Sequence, residues 1–134
     1  MAAGGRHTTF TKARTYFKDA RRRTFKRGPF LSAYLAAGEV NGPLGYPVSR
    51  LHYPRRGYSS VFEGGSLYWS HQAGSQYLLR GKVFRRYGHV GGAKGNLGFP
   101  ETNVRFNAKG SSARFQHGVI RYDKQSSRTT VIWE

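Results

Sequence analysis

The sequence predicts a mainly β protein with short helices, in which tandem β-hairpin repeats follow an amphipathic basic α-helix. Three observations support this fold class: an internal repeat, β-prone runs between turn signals, and a basic segment with helical spacing. The repeat occupies residues 28–80 and 81–133, and its two copies align without an insertion. Because neither copy is large enough to bury its apolar face alone, each must pack against a neighbour.

The identities between the copies are largely glycines and prolines, which fix backbone geometry. They include Gly28/Gly81, Gly38/Gly91, Gly42/Gly95, Gly45/Gly98, Pro47/Pro100 and Gly65/Gly118. The first copy is expected to run from a short helix at 30–37, through a glycine-proline loop at 38–47, to strands near 60–62, 66–70 and 77–79. The second copy repeats this order, so its fold should be the same.

The segment before the repeats has apolar or small residues at alternating gaps of three and four, the spacing of one helical face. These residues are Phe10, Ala13, Phe17, Ala20 and Thr24. A cationic helix is therefore expected over about residues 9–26, ending at Gly28-Pro29. The resulting domains are a basic arm over 1–27, a first repeat over 28–80 and a second repeat over 81–134.

Composition narrows the function classes. The 134 residues carry a net charge of +17, which favours association with nucleic acid, anionic lipid or an anionic wall polymer. Cysteine is absent, so disulfides and thiolate chemistry are excluded. No apolar run approaches the roughly 20 residues of a membrane span, and residues 1–27 lack the apolar core of a signal peptide. The chain is expected to stay inside, to be released by lysis or to travel with a larger particle.

Nothing in the sequence indicates catalysis. The five histidines lack metal-ligand spacing, and the six carboxylates are scattered. The glycine run at 91–95 does not match a phosphate-binding loop, and its place in a repeat is better explained by turns. We therefore expect no enzyme activity, no cofactor and no metal.

Two tetrapeptides stand at the same place in the two copies, Leu44-Gly45-Tyr46-Pro47 and Leu97-Gly98-Phe99-Pro100. The first is followed by the run FEGGSLYW at 62–69. Together they resemble the LGFP repeat family over about residues 28–133. The resemblance implies a non-catalytic module that accompanies actinobacterial cell-wall enzymes and lysins at the peptidoglycan, arabinogalactan and mycolate envelope.

The resemblance also implies blades of a small propeller-like ring, for which two repeats are too few. Either the amino-terminal helix caps the repeats, or several chains complete a homo-oligomer.

The second copy departs from the family pattern where the first keeps it, so the first is the better candidate for glycan contact. There Tyr68 and Trp69 are expected to stack on a sugar ring, with Glu63 accepting hydrogen bonds from its hydroxyls. The competing interpretation is that Trp69 fills the core between hairpins.

The basic arm has two interpretations as well. It is either a solvated helix docked on the repeats, or an anchor for nucleic acid, wall polymer or a partner protein. The residues of such an anchor are Arg21, Arg22, Arg23, Lys26 and Arg27.

The leading hypothesis is a non-catalytic module that binds cell-wall glycan, located at the cell envelope or on the virion surface of an actinobacterial phage. Two alternatives stay open: a basic nucleic-acid-associated structural protein, and an accessory subunit of a cell-wall hydrolase.

Overall fold

The computed structural model describes residues 5–9, 13–19, 21–53 and 57–134, the first range by its backbone alone. In these residues the chain forms three antiparallel sheets and two short helices, which confirms the mainly β class. The amino-terminal sheet contains β1 (Gly5–Thr9), β2 (Ala13–Lys18) and β3 (Arg21–Lys26). The middle sheet contains β4 (Gly57–Phe62), β5 (Gly65–Ser70) and β6 (Gly74–Leu79). The carboxy-terminal sheet has the order β10-β9-β8-β7, formed by β7 (Arg105–Asn107), β8 (Gly110–Phe115), β9 (Gly118–Asp123) and β10 (Arg128–Trp133).

The predicted amino-terminal helix is wrong, because the described part of this segment forms the strands β1, β2 and β3. Alternation along a strand places Tyr16 and Phe25 on the face turned toward the repeats, where each is 1% exposed. Phe17, which the helical pattern placed on the buried stripe, lies on the opposite face of β2. Two further residues of that pattern, Phe10 and Ala20, lie outside the described residues.

The two helices confirm the short helix expected at the start of each repeat: α1 spans Pro29–Ala36 and α2 spans Lys82–His89. Each presents a buried tyrosine to the loop that follows. The hydroxyl of Tyr34 donates to the carbonyl of Gly45 at 2.6 Å, and that of Tyr87 donates to the carbonyl of Gly98 at 2.5 Å. One hydrogen bond thus joins helix and loop in both copies.

The tetrapeptide loop has the same geometry in both copies. Its leucines, Leu44 and Leu97, are fully buried. Its glycines, Gly45 and Gly98, have φ values of +73° and +77°, a left-handed conformation that other residues rarely adopt. A Cβ atom at Gly98 would also clash with the Gln116 side chain, whose amide oxygen is held by the Phe99 N–H. Close packing and backbone geometry therefore both require glycine here.

Sheets and helices alternate, which creates two layered contacts that we call junctions. In the first junction α1 and its loop lie between the amino-terminal and middle sheets; in the second, α2 and its loop lie between the middle and carboxy-terminal sheets. The first core consists of Tyr16, Phe25, Phe30, Leu31, Tyr34, Leu44, Tyr46, Phe62 and Leu67. The second consists of Tyr68, Leu78, Val83, Tyr87, Ala93, Leu97, Phe99, Val104, Ala113, Phe115 and Ile120.

The amino-terminal sheet occupies the same place in the first junction as the middle sheet does in the second. Tyr16 meets Tyr34 of α1 edge to face, with ring centroids 5.1 Å apart and planes at 74°. Tyr68 meets Tyr87 of α2 in the same way, at 5.5 Å and 76°. The segment that does not repeat in sequence therefore supplies the structural equivalent of a third sheet.

Candidate functional site

Glu63 lies in the β4–β5 turn and holds the tetrapeptide loop of its own copy. Its Oε1 accepts a hydrogen bond from the Tyr46 backbone N–H at 3.2 Å, and its Oε2 lies 2.8 Å from the Lys18 ammonium. The hydrogen bond from Lys18 is the main reason that the pKa of Glu63 is lowered. Both carboxylate oxygens of this predicted sugar contact thus have partners within the fold.

In the second copy the neutral side chain of Gln116 takes the position of Glu63 and holds the tetrapeptide loop. Its Oε1 accepts from the Phe99 backbone N–H at 2.9 Å, and its Nε2 donates to the Gln72 amide oxygen at 2.8 Å. A neutral amide pair therefore stands where the first copy has an ion pair.

Tyr68 and Trp69, the other two predicted sugar contacts, point to opposite faces of the middle sheet because they are consecutive on β5. Tyr68 is 9% exposed in the second junction, and burial raises the pKa of its hydroxyl to about 12. Trp69 lies on the other face and is partly buried against the first core. The structure does not bring Glu63, Tyr68 and Trp69 together on one surface.

Trp69 instead belongs to a row of four rings, which we call the aromatic row: Tyr53, Tyr58, Trp69 and His71. Successive ring centroids are 5.2, 5.5 and 4.8 Å apart. Tyr58 and Trp69 are direct cross-strand partners on β4 and β5. Tyr53 at one end is 68% exposed, and His71 at the other end is exposed in the β5–β6 turn.

A groove of about 870 Å³ begins at His71 and runs between the β5–β6 turn and the second tetrapeptide loop. Its lining consists of Ser70, His71, Gln72, Gly95, Asn96, Gly98, Phe99, Gln116 and His117. The aromatic row and the groove therefore share His71 and form neighbouring parts of one candidate surface.

The predicted anchor residues do not form one patch on the strands. Arg21 and Arg23 lie on the inner face of β3, where Arg23 Nε donates to the Val48 carbonyl at 3.2 Å. Arg22 and Lys26 lie on the outer face and are exposed, and Arg27 is exposed just after the strand. Arg23 thus contributes to the fold, while Arg22, Lys26 and Arg27 are exposed to a partner.

Sequence reasoning missed the aromatic row beyond Trp69 and all of the groove. Tyr58 is placed beside Trp69 by the register of β4 and β5, which the sequence alone does not reveal. Gln72 of the first copy corresponds to Gln125 of the second, and Gln116 of the second copy corresponds to Glu63 of the first. That replacement was visible as a departure, but only the fold shows that it faces Gln72.

Residues 44–95 match the family model described as LGFP repeat. The chain therefore contains a stretch that matches the LGFP repeat. The matched stretch begins at the first tetrapeptide and continues through β4–β6, α2 and the start of the second loop, so it covers the aromatic row and one wall of the groove. The LGFP repeat indicates a cell-wall-associated module of a non-catalytic family. A search of curated proteins found no match to the chain.

Two further features of the described residues bear on possible partners. Neither of the helices in the described ranges has the length and apolar character needed to cross a bilayer. In the same part of the chain, histidine, aspartate and glutamate side chains nowhere form a group of three suited to a metal ion.

Proposed function

We propose that this protein binds glycan of the cell envelope through the aromatic row. The observation that carries the proposal is a row of four neighbouring rings, from an exposed tyrosine to an exposed histidine, on the segment matched by the family. The predicted role of Trp69 is kept in this proposal, while Tyr68 and Glu63 support the fold around it.

The chemistry of the row suits a sugar. Aromatic faces carry partial negative charge, so they attract the weakly positive C–H groups on the flat side of a sugar ring. The Tyr53 hydroxyl and the His71 ring nitrogens can hydrogen-bond to sugar hydroxyls at either end. The tilted and edge-to-face ring contacts hold the row in place before any ligand arrives, which reduces the entropy lost on binding.

Replacing Trp69 tests the proposal. We expect Trp69→Ala to lower retention on purified mycolyl-arabinogalactan-peptidoglycan about tenfold or more, because the central stacking surface is lost. Retention is measured at about 0.5 M salt, where exposed charges are largely screened. Trp133→Ala is the matched control, since Trp133 is 53% exposed on β10, outside the row.

Tyr53→Ala separates binding from folding, because this exposed ring contributes little to the core. It should weaken wall binding while leaving the thermal midpoint close to that of the parent chain. Equal wall binding by the parent, Trp69→Ala and Tyr53→Ala would contradict the proposed function.

A second candidate function, binding of a polyanion such as nucleic acid, is favoured by the carboxy-terminal sheet. Arg105, Ser112, Arg121 and Thr130 are neighbours in one row across its four strands, on the face away from α2. In the described part of the chain, neither arginine has an ion-pair partner within 4.0 Å. Wall binding that disappears in the 0.5 M salt measurement would favour this function, since counterion release makes such binding steeply salt-dependent.

The carrier in this proposal is the virion of a phage that infects actinobacteria, on which a wall-binding module would promote host adhesion. The wall association of the LGFP repeat and the exposed cations of the amino-terminal sheet support it. Mass spectrometry of purified virions would test it.

A further inference from the structure

The two tetrapeptide loops have the same backbone geometry but different surroundings. In each, the residue after the glycine donates its backbone N–H to a side chain of the following turn, Glu63 in one copy and Gln116 in the other. The turn also donates back: the Gly64 N–H bonds to the Leu44 carbonyl at 2.8 Å, and the His117 N–H bonds to the Leu97 carbonyl at 3.0 Å. Whatever differs between the loops is therefore due to side chains.

In the first junction the Lys18 side chain lies across the tetrapeptide loop and the β4–β5 turn. It ends β2 as Ser70 ends β5, but its ammonium reaches Glu63 at 2.8 Å and lies 5.1 Å from the ring centroid of Tyr46. The side chain thus covers the loop and neutralises the carboxylate beneath it. A ligand would have to displace an ion pair and a cation–π contact to enter.

In the second junction no side chain covers the tetrapeptide loop in this way among the described residues, and the open groove lies there. Ser70 is short and turned inward, where its hydroxyl accepts from the Ala73 N–H at 3.0 Å. Gln72 reaches Gln116 through its oxygen, so its amide nitrogen, which has no partner among the described residues, is available to a ligand. Gln72, Asn96 and His117 are exposed along the groove.

We infer that this groove is a binding subsite for one uncharged sugar unit, and that Lys18 and Glu63 close its counterpart in the first junction. The inference rests on the proposed function, and it extends that function from the aromatic row past His71 into a second contact. Amides and imidazoles offer both donors and acceptors, as do sugar hydroxyls. Among the described residues of its lining, Asp, Glu, Lys and Arg are absent, so an ionic sugar would gain no charged partner.

The test introduces into the second junction an ion pair like that of Lys18 and Glu63, which covers the loop of the first junction. The full chain, labelled with ¹⁵N, is titrated with soluble uncharged arabinogalactan, and amide shifts are followed at 95–99 and 116–117. The parent chain should show shifts there. Gln72→Lys with Gln116→Glu places an ion pair across the groove without changing the net charge, and should weaken binding about tenfold or more.

Two variants guard against misfolding and charge effects. Gln72→Ala leaves the bond between Gln116 and the Phe99 N–H intact, and should also lose the groove shifts. Gln125→Lys adds the same charge as Gln72→Lys on the equivalent β9–β10 turn, which lies outside the lining of the groove, and should bind like the parent.

The outcomes separate this inference from the proposed function. Shifts confined to 53, 58, 69 and 71, or parent-like affinity of the closed double variant, would overturn the groove while leaving the aromatic row as the glycan site. Absence of all shifts together with failed wall retention would overturn both. Groove shifts that the double variant and Gln72→Ala lose, and Gln125→Lys keeps, would establish the subsite.

Discussion

The two junctions share one geometry but differ in how their polar groups are matched. In the first, Glu39 accepts from the Arg14 guanidinium at 2.6 Å and from the Tyr16 hydroxyl at 2.5 Å, and Glu63 pairs with Lys18. In the second, the positions of the two glutamates are taken by Gly92 and Gln116. A basic sheet docks on acidic side chains in one junction, and a neutral sheet docks on neutral ones in the other.

This difference separates the contacts that both junctions share from those found in one junction only. Edge-to-face tyrosines, the helix-to-loop hydrogen bond and the left-handed glycines occur in both junctions. Among the described residues, ion pairs between a docked sheet and the repeat beneath it occur only in the first junction, where that sheet is cationic. The two carboxylates of the first repeat are therefore explained by the amino-terminal sheet, and not by a ligand.

The largest expected effect concerns the paired tyrosines. Tyr16→Ala and Tyr68→Ala should each lower the free energy of unfolding by about 3–5 kcal/mol, as expected when a large buried ring is deleted. Tyr16 is 1% exposed and Tyr68 is 9% exposed, so the two losses should be comparable. Urea denaturation followed by fluorescence measures both.

The exposed Arg22 provides the control, since Arg22→Ala should change stability by less than about 0.5 kcal/mol. A main unfolding transition that Tyr16→Ala leaves unchanged would show that the amino-terminal sheet is not an equivalent third layer.

A smaller effect is expected at Glu39, which has φ 54° where its counterpart Gly92 has φ 60°. A non-glycine residue in this conformation costs about 1–2 kcal/mol, which the contacts with Arg14 and Tyr16 offset. Glu39→Ala loses the contacts but keeps the strain, whereas Glu39→Gly loses both. We expect Glu39→Ala to be destabilising, and Glu39→Gly to be less so by about 1 kcal/mol.

Gly92→Ala is the matched measurement in the second junction. Its added methyl group would meet nothing within 4 Å, so its cost of about 1 kcal/mol should be conformational alone. If Glu39→Gly were more destabilising than Glu39→Ala, the account of strain at this position would be wrong.

Much of the repeat fold could be predicted from sequence because glycines and prolines mark its turns. The helix at 30–37 and the strands near 60–62, 66–70 and 77–79 are within α1, β4, β5 and β6 or differ from them by one residue. The amino-terminal strands carry no such marks. Their apolar and small residues happen to recur at gaps of three and four, as on a helix. In the structure the residues alternate along strands instead, and Tyr16 and Phe25 are the ones that are buried.

The site was harder to predict because it depends on which strands are neighbours. Trp69 was identified from its motif, but its partner Tyr58 is eleven positions earlier and is brought beside it only by the β4–β5 register. Gln72 and Gln116 hydrogen-bond across the junction between the two copies. They are far apart in the sequence, so no local sequence pattern could predict this contact.

The smallest effect is a pH dependence that only the first junction should have. Because the pKa of Glu63 is below its unfolded value of 4.5, the stabilisation from this carboxylate is complete above about pH 4.5 and is lost as pH falls through the lowered pKa. Glu63→Gln should remove this contribution. The gap in thermal midpoint between parent and variant should therefore be widest near neutral pH and should narrow on acidification.

The same dependence can be introduced in the second junction. Gln116→Glu alone places a carboxylate opposite an amide, so little lowering of its pKa is expected. Adding Gln72→Lys supplies the cation, and the double variant should then lose stability on acidification relative to Gln116→Glu. Parallel acid profiles of these two variants would show that Lys18 is not what makes the first junction sensitive to pH, and that the contrast between the junctions has another cause.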